Sequence, residues 1–333
     1  MEAWIFVAHE NDVQALWRMA GLVTPMALRV AVNLGLPDLL TEPGTADQLA
    51  AGLDISPLGL DLLLGHLVTL GVLERTGDGY RTTPFGAHLR RDADNGLANL
   101  LDASTAAGRA DLAFIDLQHS VTTGEPAYPL RYGQDFWSDL DEHPHLRRAF
   151  DEQMAFRIRE QLPQVVAGFD WARFGRIVDV GGGPGRQLAA ILAAHPRVSG
   201  HLVDLDVTEA RKAFEPLGDR AQATVGSFFD PLPSGDAYLL FDVLHDWDDE
   251  HAERVLRRCV EAMPDDGRVL VVEAVGGLSA GTEMDLVMLV HFGGRERRVE
   301  ELEQVAAAAG LVLDQVVELT SQRHLLEFRE VTR

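Results

Sequence analysis

The segment YLLFDVLHDWDDEHAERVL, residues 238–256, runs from an apolar stretch straight into His245-Asp246-Trp247-Asp248-Asp249. An imidazole at the end of a buried strand can act as a general base near neutral pH, provided an acceptor holds its second nitrogen. Asp248 and Asp249 read differently: they open the helix DDEHAERVL, where acids cap free N–H groups and suit the helix dipole. The acidic string therefore divides into a functional half, His245 with Asp246, and a capping half. Upstream, Asp179-Val180-Gly181-Gly182-Gly183-Pro184-Gly185-Arg186 ends another strand in glycines that let the backbone approach a ligand and turn into a helix. A dinucleotide fingerprint would need glycine where Arg186 stands. Nineteen residues after Gly185, Asp204 ends the next strand, where an acid can take both hydroxyls of a ribose. The strand after that ends in Gly226-Ser227-Phe228-Phe229, offering an aromatic face for a base and a hydroxyl for its amine. Singly, Asp204 reads as a solvated acid and Phe228 as core; at this spacing they read as a nucleoside site.

The elements that must carry these residues alternate. From about Gly168, RIVDVGGG, SGHLVDLD, AQATVGSFF, DAYLLFDVL and GRVLVVEAV read as strands, with RQLAAILAAH, TEARKAFEPL and DDEHAERVLRRCVEAM as helices between them. EMDLVMLV and VEELEQVAAAAG are two further helices, and LVLDQVVEL with HLLEFREV is a closing antiparallel hairpin. This is an α/β class, doubly wound sheet, and its ligand belongs at the carboxyl ends of the strands. Before it the chain is mainly helical. Thr45-Ala46-Asp47-Gln48 is a capping box, Ser56-Pro57 starts a second helix, and Gly77-Asp78-Gly79 marks a hairpin turn. Helix, turn, helix and hairpin is a winged-helix pattern. The division expected is 1–165, helical and winged-helix-like, and 166–333, the ligand-binding sheet.

A winged helix raises the possibility of a DNA-binding regulator. Recognition needs Arg or Lys for phosphates and base edges, and Ser56 to Leu73 holds neither, only His66. The net charge of −23, from 29 basic and 52 acidic residues, also opposes phosphate backbones and anionic lipid. The helices in LWRMAGLVTPMALRVAVNLGLPDLL are more apolar than a small domain needs, and they read as a homodimer interface. No run approaches the roughly 18 residues of a membrane span, and the N-terminus lacks a basic leader, so no membrane role and a cytoplasmic location are expected. A length of 333 residues with 46% hydrophobic content suits two cores. The one cysteine, Cys259, reads as a buried structural thiol. No metal site is expected, because the acids fall in separate strand-end and cap roles.

The acid-x-Gly-x-Gly-x-Gly spacing of Asp179, Gly181, Gly183 and Gly185 resembles the first motif of class I S-adenosylmethionine (SAM) methyltransferases. With GSFFDPLP, VLHDWDDEH and FGGRER, nearly the whole chain resembles the small-molecule O-methyltransferases that include plant caffeate and hydroxyindole enzymes. LVTPMALRVA and TTGEPAYPLRYGQDFW are most similar to the branch that methylates aromatic polyketides such as naphthoates and anthracyclines. The resemblance implies a helical dimerisation domain, SAM as cofactor with S-adenosylhomocysteine (SAH) as product, and a small aromatic acceptor. It also implies that Gly181 meets the methionine part of SAM, Asp204 the ribose, and Ser227 with Phe228 the adenine. Arg147 in HPHLRRAF matches an arginine that reaches the SAM carboxylate, though adjacent Arg148 is the alternative. Phe136, Trp137, Met154 and His291 match acceptor-pocket positions. Two departures stand out: many relatives have aspartate in place of Ser227 and lysine in place of Phe241.

Methyl transfer from a sulfonium is an in-line displacement, so the protein must hold the acceptor oxygen and help remove its proton. A phenol of pKa near 10 keeps its proton at neutral pH, and a base within reach gains about 10²–10⁴-fold. The resemblance makes Glu273 and Glu296 the acids flanking His245; an ordinary ion pair of Glu296 with Arg295 or Arg297 is the alternative. Asp246 either binds a ligand or favours a positive imidazole. Rival readings keep the SAM fold but act as a hydroxylase, in relatives that lack the histidine, or methylate carbon or nitrogen.

Overall fold

The computed structural model describes residues 10–77 and 79–331. The chain packs as two compact units that divide between Arg109 and Ala110. The change of texture near residue 165 precedes the strands of the large sheet, the first of which starts at Arg176.

The first unit holds α1 (Glu10–Ala20), α2 (Val23–Asn33), α3 (Ala46–Leu53), α4 (Pro57–Thr69) and an antiparallel ribbon of β1 (Leu73–Thr76) and β2 (Gly79–Thr82). The caps form as the sequence predicts: Thr45 and Gln48 close a reciprocal box, and the Ser56 hydroxyl accepts from the Gly59 amide. Asp78, at the centre of the expected hairpin turn, lies outside the described residues, as does the start of the N-terminal segment. Leu36, Leu40, Leu60, Leu64 and Leu67 are buried together with Val32 and Tyr80. The other side of α1 and α2 has no such cover: Trp17 is 74% exposed and Met19 82%, with Leu16, Leu22 and Val23 also exposed. By length and composition Asp12–Asn33 suffices for a membrane crossing, with a mean hydropathy of 1.2, which corrects the expectation that nothing approaches that length. The continuous-run criterion missed it because Arg18 and Arg29 interrupt it. The stretch is two helices, with Gly21 and Leu22 between them.

In the second unit a seven-stranded sheet has the order β5-β4-β3-β6-β7-β9-β8. The strands are β3 (Arg176–Val180), β4 (Ser199–Asp204), β5 (Ala221–Val225), β6 (Ala237–Phe241), β7 (Arg268–Glu273), β8 (Leu311–Thr320) and β9 (Arg323–Glu330). All pairings are parallel as far as β7; β9 then runs antiparallel between β7 and β8. Consecutive residues of β3 and β6 go to opposite faces. Val178, Tyr238 and Leu240 join one core with Leu256 and Leu302, and Ile177, Leu239 and Leu270 join the other with Leu188 and Ile191. Burial on both faces explains why these strands read as unbroken apolar runs. Strand order reverses between β3 and β6, which opens a crevice at their carboxyl ends.

Seven further helices matter here. They are α5 (Phe136–Glu142), α6 (Pro144–Arg159), α7 (Arg186–Ala194), α8 (Thr208–Phe214), α9 (Asp249–Ala262), α10 (Thr282–Phe292) and α11 (Val299–Ala308).

Candidate active site

The glycine-rich turn after β3 has positive φ at Gly181, Gly183 and Gly185, and Gly185 leads into α7. A side chain at Gly182 would overlap the Asp179 carboxylate, and one at Gly181 would come within 3.2 Å of the Phe228 ring. The loop is thus closed against its own sheet on one side. Around Gly183 nothing lies within 4 Å of an added Cβ, so the loop is open on that side. Asp179 sits beneath it, fully buried with neither carboxylate oxygen hydrogen-bonded, and burial pushes its pKa up to about 7.

At the end of β4, Asp204 Oδ2 accepts from the Gly183 amide at 2.9 Å, so the acid is tied to the loop. Its Oδ1 lies 2.7 Å from Arg147 Nη2, on α6. Arg147 is buried and Arg148 exposed, so Arg147 is the inward-pointing member of the pair. In this structure it meets Asp204 and Asp151, at 2.7 and 3.8 Å. Ser227 accepts the Phe229 amide at 3.2 Å, and the half-buried Phe228 packs edge-on against Trp247. A cradle with open space over Gly183, an acid fixed beside it and an aromatic face over Gly181 fit a nucleoside cofactor such as SAM.

Beyond β6 the chain makes a 3₁₀ turn, Leu244–Asp246, that presents His245. Its imidazole is only 14% exposed; Nδ1 lies 3.1 Å from Glu296 Oε1 and Nε2 lies 3.4 Å from Asp246 Oδ1. Its backbone N–H donates to Glu273 Oε1 at 3.1 Å, from the end of β7. Glu296 is therefore paired with the histidine. Arg295 and Arg297, the alternative partners, turn instead to Asp249. Arg297 is fully buried and donates to the Leu244 and Trp247 carbonyls, each at 2.7 Å, clamping both ends of the turn. A side chain at Gly294 would overlap the His245 carbonyl, so the loop bearing Glu296 reaches the turn only with glycine there. Asp285 on α10 accepts the Glu296 amide at 3.2 Å.

The charges in this cluster are coupled. Burial alone would depress the imidazole, but Asp246, the Glu296 hydrogen bond and Glu273 outweigh it and push the His245 pKa up to about 10. Burial pushes Asp246 and Glu273 up to about 7. Asp246, Glu273 and Glu296 thus converge on one histidine, as the resemblance implies for the two glutamates. Even so, no group of three or more ligand side chains among the described residues is arranged to hold a metal ion. Asp248, by contrast, caps α9 through the His251 amide as predicted.

Phe136 is buried, its ring 5.0 Å from Phe292 and 5.2 Å from Trp137; Trp137 stacks on Phe292 with planes 18° apart. His291 meets Phe114 edge-on, and burial pushes its pKa down to about 4, which keeps it neutral. Phe150 on α6 packs edge-on against Phe136 and Trp137, and Phe292 on α10 meets the same two rings, so α5, α6 and α10 come together there. Met154 is half-buried on α6, two turns beyond Arg147. Gly294 and Arg297 also build the turn, a role that the sequence does not mark, because Arg297 lies 53 positions from the Leu244 carbonyl it holds.

Comparison with known proteins places residues 114–312 in an O-methyltransferase domain and residues 17–92 in an O-methyltransferase dimerisation domain. The chain is 47% identical to 2,7-dihydroxy-5-methyl-1-naphthoate 7-O-methyltransferase from Streptomyces carzinostaticus, over 89% of this chain and 91% of that one. It is 39% identical to aclacinomycin 10-hydroxylase RdmB from Streptomyces purpurascens, over 91% and 86%. Among solved structures, the O-methyltransferase NcsB1 from neocarzinostatin biosynthesis, in complex with SAM and 2-hydroxy-5-methyl naphthoic acid, matches with a TM-score of 0.88. That match has 44% identity over 95% of this chain and 98% of the other.

Proposed function

We infer, from the premise that this chain belongs to the O-methyltransferase family, that it uses SAM to methylate a hydroxyl of an aromatic natural product of the hydroxynaphthoate type. The observation that carries this reading is the position of His245. It stands at the carboxyl end of β6, next to the glycine-rich end of β3, and is gripped through Nδ1 by Glu296.

When bound, SAM supplies an electrophilic methyl group on a sulfonium. Asp204, already fixed through the Gly183 amide, takes the ribose hydroxyls, and Arg147 leaves it for the amino-acid carboxylate. Gly181 admits the methionine part, and Ser227 with Phe228 borders the adenine. Phe136, Trp137, Met154 and His291 form the acceptor wall, where a neutral His291 adds no charge repelling or attracting the ring. With Nδ1 held by Glu296, Nε2 is the nitrogen that takes the acceptor proton. It does so after the imidazolium favoured by Asp246 and Glu273 has given up its own proton, as happens when a sulfonium cation enters the cleft. Asp246 and Glu273 stabilise the imidazolium that results, and Asp246 offers the next acceptor for the proton. A hydroxylase reading has a relative behind it, but a gripped base in the cleft suits removal of a phenolic proton. The exposed apolar face of α1 and α2 meets a second copy, so the enzyme works as a homodimer. Contact with DNA is disfavoured by the charge balance and by a helix α4 that holds neither Arg nor Lys.

The test is incubation of the purified protein with SAM and a panel of hydroxylated naphthoic acids and other phenols, followed by mass spectrometry. A gain of one methyl on a hydroxyl is expected. SAM binding without transfer to any phenol, or a gain of oxygen, would overturn the reading.

A further inference from the structure

β6 ends in an unusual backbone conformation. Asp242 has φ +52, and only two other described non-glycine residues, Asp54 and Asp94, also have positive φ. Such a residue is disfavoured unless its surroundings hold it. At Asp242 the chain leaves the strand, and three residues later it presents His245.

What holds Asp242 comes from β7 and from the far hairpin. Its amide donates to the Val272 carbonyl at 2.9 Å. Its carboxylate accepts three hydrogen bonds from Arg323: Nε at 3.0 Å to each oxygen, and Nη2 at 2.6 Å to Oδ2. Arg323 opens β9 and is 7% exposed. It is fixed in turn, since Nη1 donates to Gln161 Oε1 at 2.9 Å and its amide to the Thr320 hydroxyl at 3.0 Å. The same Gln161 oxygen accepts from that hydroxyl. β9 runs beside β7, with His324 opposite Glu273, so Arg323 stands at the edge of the acid cluster. Burial opposes its charge, yet Asp242, Glu296 and Glu273 keep the guanidinium firmly protonated.

We propose that Arg323 is a positioning residue for methyl transfer, its planar fork locking Asp242 in the left-handed turn that sets the His245 imidazole against Glu296. A lysine cannot replace a two-pronged contact of this kind. The proposal rests on His245 as the base. Its experiment therefore includes a readout of the imidazole that does not depend on turnover.

Arg323→Lys keeps the charge and loses the fork. Asp242→Asn tolerates the left-handed region and loses the charge. Asp242→Gly loses the carboxylate and with it the Arg323 lock, and leaves the backbone free to depart from the left-handed turn. The probe acceptor is 2,7-dihydroxy-5-methyl-1-naphthoic acid with SAM, and folding is followed by thermal melting. The first two variants are expected to lose about 10- to 100-fold in kcat, as small misplacements of a reacting group do. The KM for SAM should stay within about threefold. In a His245→Ala background neither change should cost anything further. Independently, the low-field proton resonance of the His245 Nδ1–H, assigned by its loss in His245→Ala, should shift or broaden in both variants. Wild-type kcat and an unmoved resonance in Arg323→Lys and Asp242→Asn would overturn the proposal. So would equal losses with and without His245, which would mean general damage, or full activity in Asp242→Gly. Should His245→Ala itself stay active, the base reading fails, and the resonance alone decides whether Arg323 positions the ring.

Discussion

Glu296 Oε1 stands 3.1 Å from His245 Nδ1, while the two arginines beside it in sequence face Asp249 instead. A carboxylate there raises the basicity of the imidazole, and a base must be unprotonated to act. Activity should therefore fall as pH falls, with the acid limb above the ordinary histidine value of about 6.5. In Glu296→Gln that limb should move to lower pH, because one of the charges that favours the imidazolium is gone, and kcat should drop about tenfold or more. A pH profile of kcat/KM for both proteins checks this; an unmoved limb would remove Glu296 from the mechanism.

The His245 cluster is also proton-rich in the cofactor-free protein, with Asp246 and Glu273 pushed up to about 7 and His245 to about 10. A cation entering the cleft disfavours protons there. The protein should then release protons when SAM, a sulfonium, binds, and release fewer with SAH, its neutral thioether. Calorimetry in two buffers of different ionisation enthalpy measures the number directly. Equal values for the two ligands would separate the cluster from the cofactor charge.

Asp204 joins the loop amide of Gly183 to the Arg147 guanidinium. Asp204→Ala should weaken SAM binding by about tenfold or more, since hydrogen bonds to charged groups contribute about 1.5–3 kcal/mol. Calorimetric affinity equal to wild type would exclude the ribose role.

Asp179 gives a prediction on stability. Its folded pKa, about 7, exceeds the ordinary aspartate value of 3.8, so the native state holds a proton that the unfolded chain has lost. The stability it contributes is fully present below the unfolded value and is lost as pH rises through about 7. Asp179→Asn cannot ionise. Its melting temperature, relative to wild type, should be roughly 2–8 °C higher at about pH 8.5 than at about pH 5. A difference that does not change with pH would show that the buried carboxyl is not the cause.

Much of this architecture was legible in the residues. Strands β3, β6 and β7, buried on both faces, leave continuous apolar runs, and the partly exposed β5 and β8 keep shorter apolar stretches between turn residues. Thr45, Ser56 and Asp248 announced their helices by local cap chemistry. Local signals failed where partners lie far apart in the chain. Arg323 finds Asp242 across 81 positions and Arg297 finds Leu244 across 53, and neither periodicity nor a motif encodes such pairs. The flanking of His245 by Glu273 and Glu296 followed from the family resemblance, and strand order brings the ends of β6 and β7 together to achieve it; the contact of Asp246 with Nε2 had no such signal. Asp12–Asn33 escaped notice for another reason: arginines interrupt an average that remains apolar.

The central claim is that His245 takes the acceptor proton, and His245→Ala tests it most directly. Initial rates of methyl transfer to a phenolic acceptor of the wild-type enzyme are compared for the two proteins at saturating SAM, with SAM affinity measured alongside. The account predicts a loss of about 10²–10⁴-fold in kcat with SAM binding intact. A variant that binds SAM normally and still methylates the phenol within a few-fold of wild type would contradict it.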